Sequence, residues 1–180
     1  MNILLTILGI IAALVVLVLV IALFVKKEYT IVREINIAKP PATVFDYIKY
    51  IKNQDNYSVW NQLDPAMKKT YTGTDGTTGF IYAWDSTNKE AGKGEQEITA
   101  IKENERIDTG LHFIKPFEGR ATAWMGTAPA ADQQTTVKWG LNGKMNYPMN
   151  IMLPLMKMED RLGGDLAKGL ANLKALLEKQ

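Results

Sequence analysis

The chain has 180 residues, no cysteine, one histidine and a formal net charge of +2 from 21 basic and 19 acidic residues. That balance supplies no polybasic field for nucleic acid and no acidic tail. The missing cysteines exclude disulfides, thiolate metal sites and cysteine nucleophiles, and a single histidine, His112, excludes histidine-pair metal centres.

No charge lies between Asn2 and Val25, so the charged part is the remaining stretch of about 155 residues, the size of one ordinary domain. Ile3–Val25 reads ILLTILGIIAALVVLVLVIALFV. At about 1.5 Å per residue, a run of about 23 residues crosses the roughly 30 Å hydrocarbon core of a bilayer. A cleaved signal peptide, the alternative, carries a basic n-region, a shorter apolar core and a small-residue cleavage site. This run has no Lys or Arg before it and ends in Leu23-Phe24-Val25-Lys26-Lys27. The sequence therefore predicts a membrane anchor within residues 1–27, spanning through 3–25, and a soluble domain over 28–180. Lys26, Lys27, Arg33 and Lys39 all follow the span, so the positive-inside rule predicts a cytoplasmic domain.

Tyr29–Ala38 alternates Ile31, Arg33, Ile35 and Ile37, the pattern of a strand. Pro40-Pro41 stops it, because proline cannot donate to a ladder. Ala42, Phe45, Ile48 and Ile51 predict a short amphipathic helix to about Lys52. Tyr57, Trp60 and Leu63 are spaced by three in a polar stretch, which predicts a second short helix or turn. Those two aromatics either cap a cavity or pack on the first helix.

From Met67 the pattern becomes hairpins. Strands are predicted over Met67–Thr72, Gly79–Asp85, Lys93–Lys102, Arg106–Lys115, Arg120–Thr127 and Thr135–Met145, separated by polar or Gly/Pro turns. Consecutive hairpins form an antiparallel meander. Glycines inside the strands (Gly94, Gly110, Gly126, Gly140, Gly143) predict bulges and sharp bending. The chain closes with Leu155, Met158, Leu162, Leu166, Leu170, Leu173 and Leu177 at helical spacing, with Pro154 suited to the first turn. This predicts one helix of about 24 residues, roughly 36 Å long, whose apolar stripe needs a trough.

The order of strand, two short helices, six strands and long helix resembles the helix-grip fold of the START-like superfamily. That superfamily includes the birch-pollen allergen family and bacterial polyketide cyclase/dehydrase-like lipid-binding proteins. The resemblance rests on Ile35-Asn36-Ile37 followed by Lys39-Pro40-Pro41-Ala42-Thr43-Val44-Phe45, on Trp60, and on Tyr71-Thr72-Gly73 with Tyr82-Ala83-Trp84. Gly92–Ile98, Lys115-Pro116-Phe117-Glu118, Thr136–Gly140 and Gly169–Lys174 extend it to about residues 29–178. It implies an α+β fold: a bent seven-stranded antiparallel sheet, two short helices and a long C-terminal helix, preceded here by one transmembrane helix. It also implies a cavity for a lipid or other hydrophobic small molecule, with no shared catalytic set, cofactor or metal.

The expected cavity wall is Tyr82, Trp84, Ile98, Leu111, Phe113, Met125 and Trp139 from the sheet, and Leu162, Leu166, Leu170 and Leu173 from the helix. For an enzyme on the same cavity the candidates are Glu97, Tyr82 and His112. Glu97 shares a strand face with Glu95, where paired carboxylates either do acid–base work or simply face water. His112 falls on the opposite face from Leu111 and Phe113, so it points outward if they point inward. A third reading is an interaction domain whose cavity is filled. Gly163, Gly164 and Gly169 in the last helix each cost up to about 1 kcal/mol relative to alanine. They serve either close contact with the sheet or space for a ligand. Met145, Met149, Met152, Met156 and Met158 just before that helix suit an adaptable apolar entryway, core, or contact with the bilayer.

Overall fold

A computed structural model describes residues 2–179. Met1 and Gln180, the outer limits of the two expected segments, lie outside the described residues. The elements are α1 (Ile3–Phe24), β1 (Glu28–Ile37), α2 (Pro41–Ile48), α3 (Val59–Gln62), β2 (Lys68–Thr72), β3 (Ile81–Asp85), β4 (Lys93–Lys102), β5 (Arg106–Lys115), β6 (Gly119–Pro129), β7 (Thr135–Lys144), α4 (Met152–Leu155) and α5 (Met158–Leu177). A 3₁₀ turn, Ile51–Asn56, joins α2 to α3.

The seven strands form one sheet in the order β1-β7-β6-β5-β4-β3-β2, with every pair antiparallel. Side-chain alternation gives it two unlike faces. Ile31, Ile37, Ile98, Ile107, Met125, Val137 and Trp139 are buried on the inner face. Leu166, Leu170, Leu173 and Leu177 of α5 join the same core, as do Val44, Phe45 and Ile48 of α2. Fully burying each such side chain contributes about 1.5–3 kcal/mol. This is the expected helix-grip arrangement.

Two predicted helices differ in length. The first ends at Ile48, and Ile51–Asn56 winds as the tighter 3₁₀ turn. Asp75 explains the break: its carboxylate accepts from the backbone N–H groups of Ile51 (2.8 Å) and Lys52 (3.1 Å), holding a new helix start there. The C-terminal helix is also broken. α4 is a single turn, Lys157 adopts a left-handed conformation (φ 48°), and α5 of 20 residues begins after it. Pro154 cannot donate inside a continuing helix. Instead Met156 and Lys157 N–H bond back to Met152 and Pro154 carbonyls, closing the turn. Leu155, expected in the buried stripe, is 72% exposed.

α5 runs beside β1 and is clamped at its far end. Lys174 Nζ donates to the Asn36 carbonyl at 2.6 Å and pairs with Glu178 at 2.8 Å. Glu178 in turn accepts from the Ala38 N–H at 2.7 Å.

The strand glycines act differently from the expectation of bending alone. Register shifts in the β4–β5 pair fall at Lys93/Gly94 and Ile98/Ala100. Gly94, at the first of these shifts, and Gly140 and Gly143 also stand directly opposite Trp84, Trp124 and Tyr29. Each ring occupies the space a Cβ on its glycine would need. A large ring lying flat on the neighbouring strand requires that its cross-strand partner have no side chain.

Candidate functional site

The inner face divides into a closed half and an open half. Toward the far end of β1, Ile37, Ile98, Ile107, Thr109, Met125 and Val137 are fully buried under α2 and the 3₁₀ turn. Toward the end of the sheet beside α1, Tyr29, Trp84, Leu111, Ala121 and Leu162 are only half-buried, and Phe113 is exposed. Register places several of these in one transverse row: Tyr29 opposite Gly143, Gly143 opposite Ala121, Ala121 opposite Leu111, and Leu111 opposite Gln96. Two of its members are glycine and alanine, so the middle of the row offers little side-chain volume.

Of the residues expected along the cavity, Trp84, Leu111, Phe113 and Leu162 therefore stand at the open end. Tyr82, Ile98, Met125, Trp139, Leu166, Leu170 and Leu173 are buried in the core. A cavity of about 10 Å³ remains among Ile51, Gln54, Gln96, Ile107, Thr109, Ala123, Trp124, Met125 and Trp139. That is room for about one water molecule. Its polar lining is partly satisfied within the protein: Gln96 Nε2 donates to Thr109 Oγ1 at 3.2 Å, and Thr109 Oγ1 donates to the Ala123 carbonyl at 3.2 Å.

Tyr57 and Trp60 resolve together. Tyr57 is buried against Tyr47 and edge-on to Trp139 (ring centroids 5.7 Å), while Trp60 meets Trp139 edge-on at 6.0 Å. Gly169 lets α5 approach Trp139 beside Tyr57, since a Cβ there would meet the Trp139 ring at 2.8 Å and the Tyr57 carbonyl at 3.5 Å. Trp139 is thus enclosed by two aromatic rings and a helix backbone.

Tyr82 has the densest polar surroundings on the inner face. Its hydroxyl donates to Asp55 Oδ1 at 2.9 Å. Asp55 also accepts from Asn61 Nδ2 at 2.9 Å and pairs with Lys69 at 2.8 Å. Burial first, then the hydrogen bond and charge of Asp55, push the Tyr82 hydroxyl far above the usual phenol range. At neutral pH it is a neutral donor and cannot serve as a base.

The other two catalytic candidates lie on the outer face. Glu97 is exposed there, opposite Gly110. His112 sits opposite Glu95, with Nδ1 3.1 Å from its carboxylate, and Nε2 lies 3.5 Å from Glu118. Neither shares a surface with Tyr82. Among the described residues no cluster of three or more His, Asp or Glu side chains has metal-binding geometry.

Asp55, Asn61 and Lys69 were not among the expected residues, because they come from loop, helix and edge strand and meet only in three dimensions. Arg33 was read only as a strand residue and a positive charge near the span. It lies on the inner face beneath Gly163, with Nη1 donating to the Val32 carbonyl at 2.8 Å. Its odd place in the Ile31–Ile35–Ile37 alternation was the available signal. A shallow outer depression of about 310 Å³ lies at the α1 end, bordered by Glu28, Thr30, Arg120, Thr122, Asn142 and Lys144.

No family model matches the chain, and no curated protein does either. Solved structures do. Protein MLL2253 from Mesorhizobium loti superposes with TM-score 0.61 at 15% identity, covering 84% of this chain and 98% of that one. Norcoclaurine synthase from Thalictrum flavum, in truncated form, gives TM-score 0.61 at 11% identity, covering 85% and 95%. Ara h 8.0201 gives 0.54 at 15% identity, covering 85% and 99%. At these identities the likeness establishes the helix-grip fold.

Proposed function

We propose that residues 3–25 are a retained single-pass anchor, and that residues 28–180 form a START-like module binding a hydrophobic small molecule or lipid from the adjoining leaflet. The subfamily it fits best is the polyketide cyclase/dehydrase-like lipid-binding group. The observation that carries this reading is the one-sided opening of the inner face. Its apolar lining is closed at the far end and half-exposed at Trp84, Leu111, Phe113, Ala121 and Leu162, beside the anchor. A ligand pocket is an apolar concavity with a few convergent polar groups, and Gln96 and the Tyr82–Asp55 pair adjoin this lining. α1 has the length and composition to cross a bilayer. Lys26 and Lys27 directly after it support a cytoplasmic domain.

The cavity of about 10 Å³ among Gln96, Thr109 and Trp139 describes a grip at rest. Uptake then requires α5 to move away from the sheet, and the left-handed Lys157 before it is the hinge such a motion would use. The small volume also favours a second reading, an interaction module filled by its own side chains. Tyr82 alone of the catalytic candidates lies inside, so the enzymatic alternative rests on one neutral hydroxyl.

Native mass spectrometry of the full chain released from lipid nanodiscs separates these readings. Lipid binding predicts a retained adduct of defined mass, lost in Ala121→Phe. A clean apo mass with no uptake of added lipid would leave the filled module. Proteolytic release of the N-terminus during maturation would overturn the anchor, and export of a reporter fused after Gln180 would overturn the orientation.

A further inference from the structure

We propose that the sheet end beside α1 is seated in the lipid interface, with the tips of the β5–β6 turn and the segment after β7 immersed in an anionic leaflet. The inference rests on the anchor reading above. It goes further, because a tethered domain can equally hang free in solution on its linker.

The first observation is that no free linker exists. Only Val25, Lys26 and Lys27 separate α1 from β1. Asn150, buried in the segment after β7, donates its side-chain amide to the carbonyls of Ala22 (2.7 Å) and Val25 (2.8 Å). Ala22 is in the last turn of α1 and Val25 caps it, where the carbonyls have no partner within the helix. The Met145 N–H bonds to the Lys27 carbonyl at 2.8 Å, tying the same segment once more. Ala22 is the one buried residue of α1, so the helix projects clear of the domain.

This fixes depth. Ala22 lies about 4–5 Å inside Val25 along the helix axis. If Ile3–Phe24 spans the hydrocarbon, Asn150 stands at its boundary, and so do its neighbours in sequence.

The second observation is what those neighbours expose. Outside α1, the strongly exposed large apolar side chains gather at this end: Phe117 (80%), Leu155 (72%) and Met149 (55%), with Met156, Tyr147 and Ile114 less so. Among the described residues elsewhere outside α1, only Val32, Tyr50 and Tyr71 reach exposure comparable to the latter three, and they are scattered. Contiguous exposed apolar surface marks an interaction site, and continuity with a spanning helix selects the bilayer over a protein partner. The third observation is charge. Lys26, Lys27, Lys115, Arg120 and Lys157 flank the apolar tips and outnumber the acids there: Glu28 and Asp85 are paired with Lys144 and Lys93, and Glu118, beside Phe117, lies 3.5 Å from His112 Nε2. A basic rim around apolar tips suits anionic headgroups.

The absence of native cysteine permits single nitroxide labels on the full chain. Phe117→Cys, Met149→Cys and Leu155→Cys test the tips, with Tyr50→Cys as a control at the far end. The chain is reconstituted in vesicles of phosphatidylcholine and phosphatidylglycerol. The expected result is that labels at the three tips collide more often with oxygen than with a water-soluble nickel chelate, and the label at Tyr50→Cys does the reverse. Equal chelate access at tips and control would overturn the proposal. So would tip labels shielded from both reagents, which would mean a protein partner covers them. Alkaline carbonate extraction reports separately on the anchor: protein released from the vesicles would sink the anchor reading itself, whereas retained protein with wet tips would sink only the docking.

Discussion

The guanidinium of Arg33 occupies the place where a side chain on Gly163 would stand. Arg33 is the one charged residue among the inward positions of β1, and a Cβ on Gly163 would overlap its Nη2 and Cζ atoms. The helix therefore passes over the sheet with only the guanidinium end of a flexible side chain between Gly163 and β1. Gly164, one residue on, has nothing within 4 Å of its Cβ position.

The two adjacent glycines should respond unequally to alanine. Gly164→Ala is expected to stabilise the chain by about 0.5–1 kcal/mol, from helix propensity and a less flexible unfolded chain. Gly163→Ala gains the same propensity but must displace the flexible end of Arg33, which offsets part of that gain, and is expected to stabilise less than Gly164→Ala. Thermal unfolding of the full chain in one fixed detergent measures both. A non-additive gain in Gly163→Ala/Arg33→Ala, beyond the sum of the single changes, would assign the difference between the two glycines to this contact.

Lining at the open end should separate binding from folding. Ala121→Leu adds volume in the half-buried row and is expected to abolish lipid retention while leaving the unfolding temperature nearly unchanged. Ile98→Ala, in the closed half, is expected to cost about 2–5 kcal/mol through transfer and cavity terms. If Ala121→Leu retained lipid as well as the native chain, the ligand would have to bind elsewhere.

Glu97→Gln and His112→Gln are expected to leave lipid retention and far-end protection from hydrogen exchange unchanged, since both side chains sit on the outer face. Loss of retention in either would mean that the outer face takes part.

Alkaline stability should be set by buried phenols. Tyr57 and Tyr82 are pushed far above the usual phenol range, Tyr57 mainly by burial and Tyr82 by burial and then Asp55. A folded pKa above the unfolded one gives stability that is complete below about pH 10 and declines as the unfolded phenols ionise. Absorbance at the phenolate band should therefore rise for these two tyrosines only as the chain unfolds. Tyr82→Phe should make the decline of stability above that pH less steep.

Acid should loosen the far clamp. The hydrogen bond from Lys174, then the Ala38 N–H, hold the Glu178 carboxyl below the usual carboxylate range. Its contribution is present above the ordinary carboxylate pKa and is lost as pH falls through the depressed value. The stability difference between the native chain and Glu178→Gln should accordingly exist at neutral pH and vanish in acid. A difference that persisted unchanged would show that the carboxylate charge is not what matters there.

Much of the architecture is legible in local pattern. The alternation in Tyr29–Ala38 and Arg106–Lys115, the glycines at 73, 76 and 79, and the leucines from 162 to 177 each specify their element through spacing alone. Turn glycines are readable because Gly73, Gly76 and Gly79 all take positive φ, a conformation other residues resist. The helix break at Lys157 was not readable, because the apolar period continues through Leu155 and Met158 while Asn150 ties the preceding segment to α1. The aromatic partners of the strand glycines were not readable for a similar reason: Trp84, Trp124 and Tyr29 become opposite only once register is fixed.

The sequence by itself determined the apolar span, the strand meander, the two-faced strands and the amphipathic last helix, because each follows from a period of two or about 3.6 residues and from residues such as proline and glycine that restrict the backbone locally. Only the tertiary structure decided that the inner face is closed at one end and open at the other, that Tyr82 meets Asp55, Asn61 and Lys69, and that Arg33 lies under Gly163. Those depend on how far the sheet curls and how close the helix comes, which are set by summed packing among residues distant in the chain and leave no periodic trace in it.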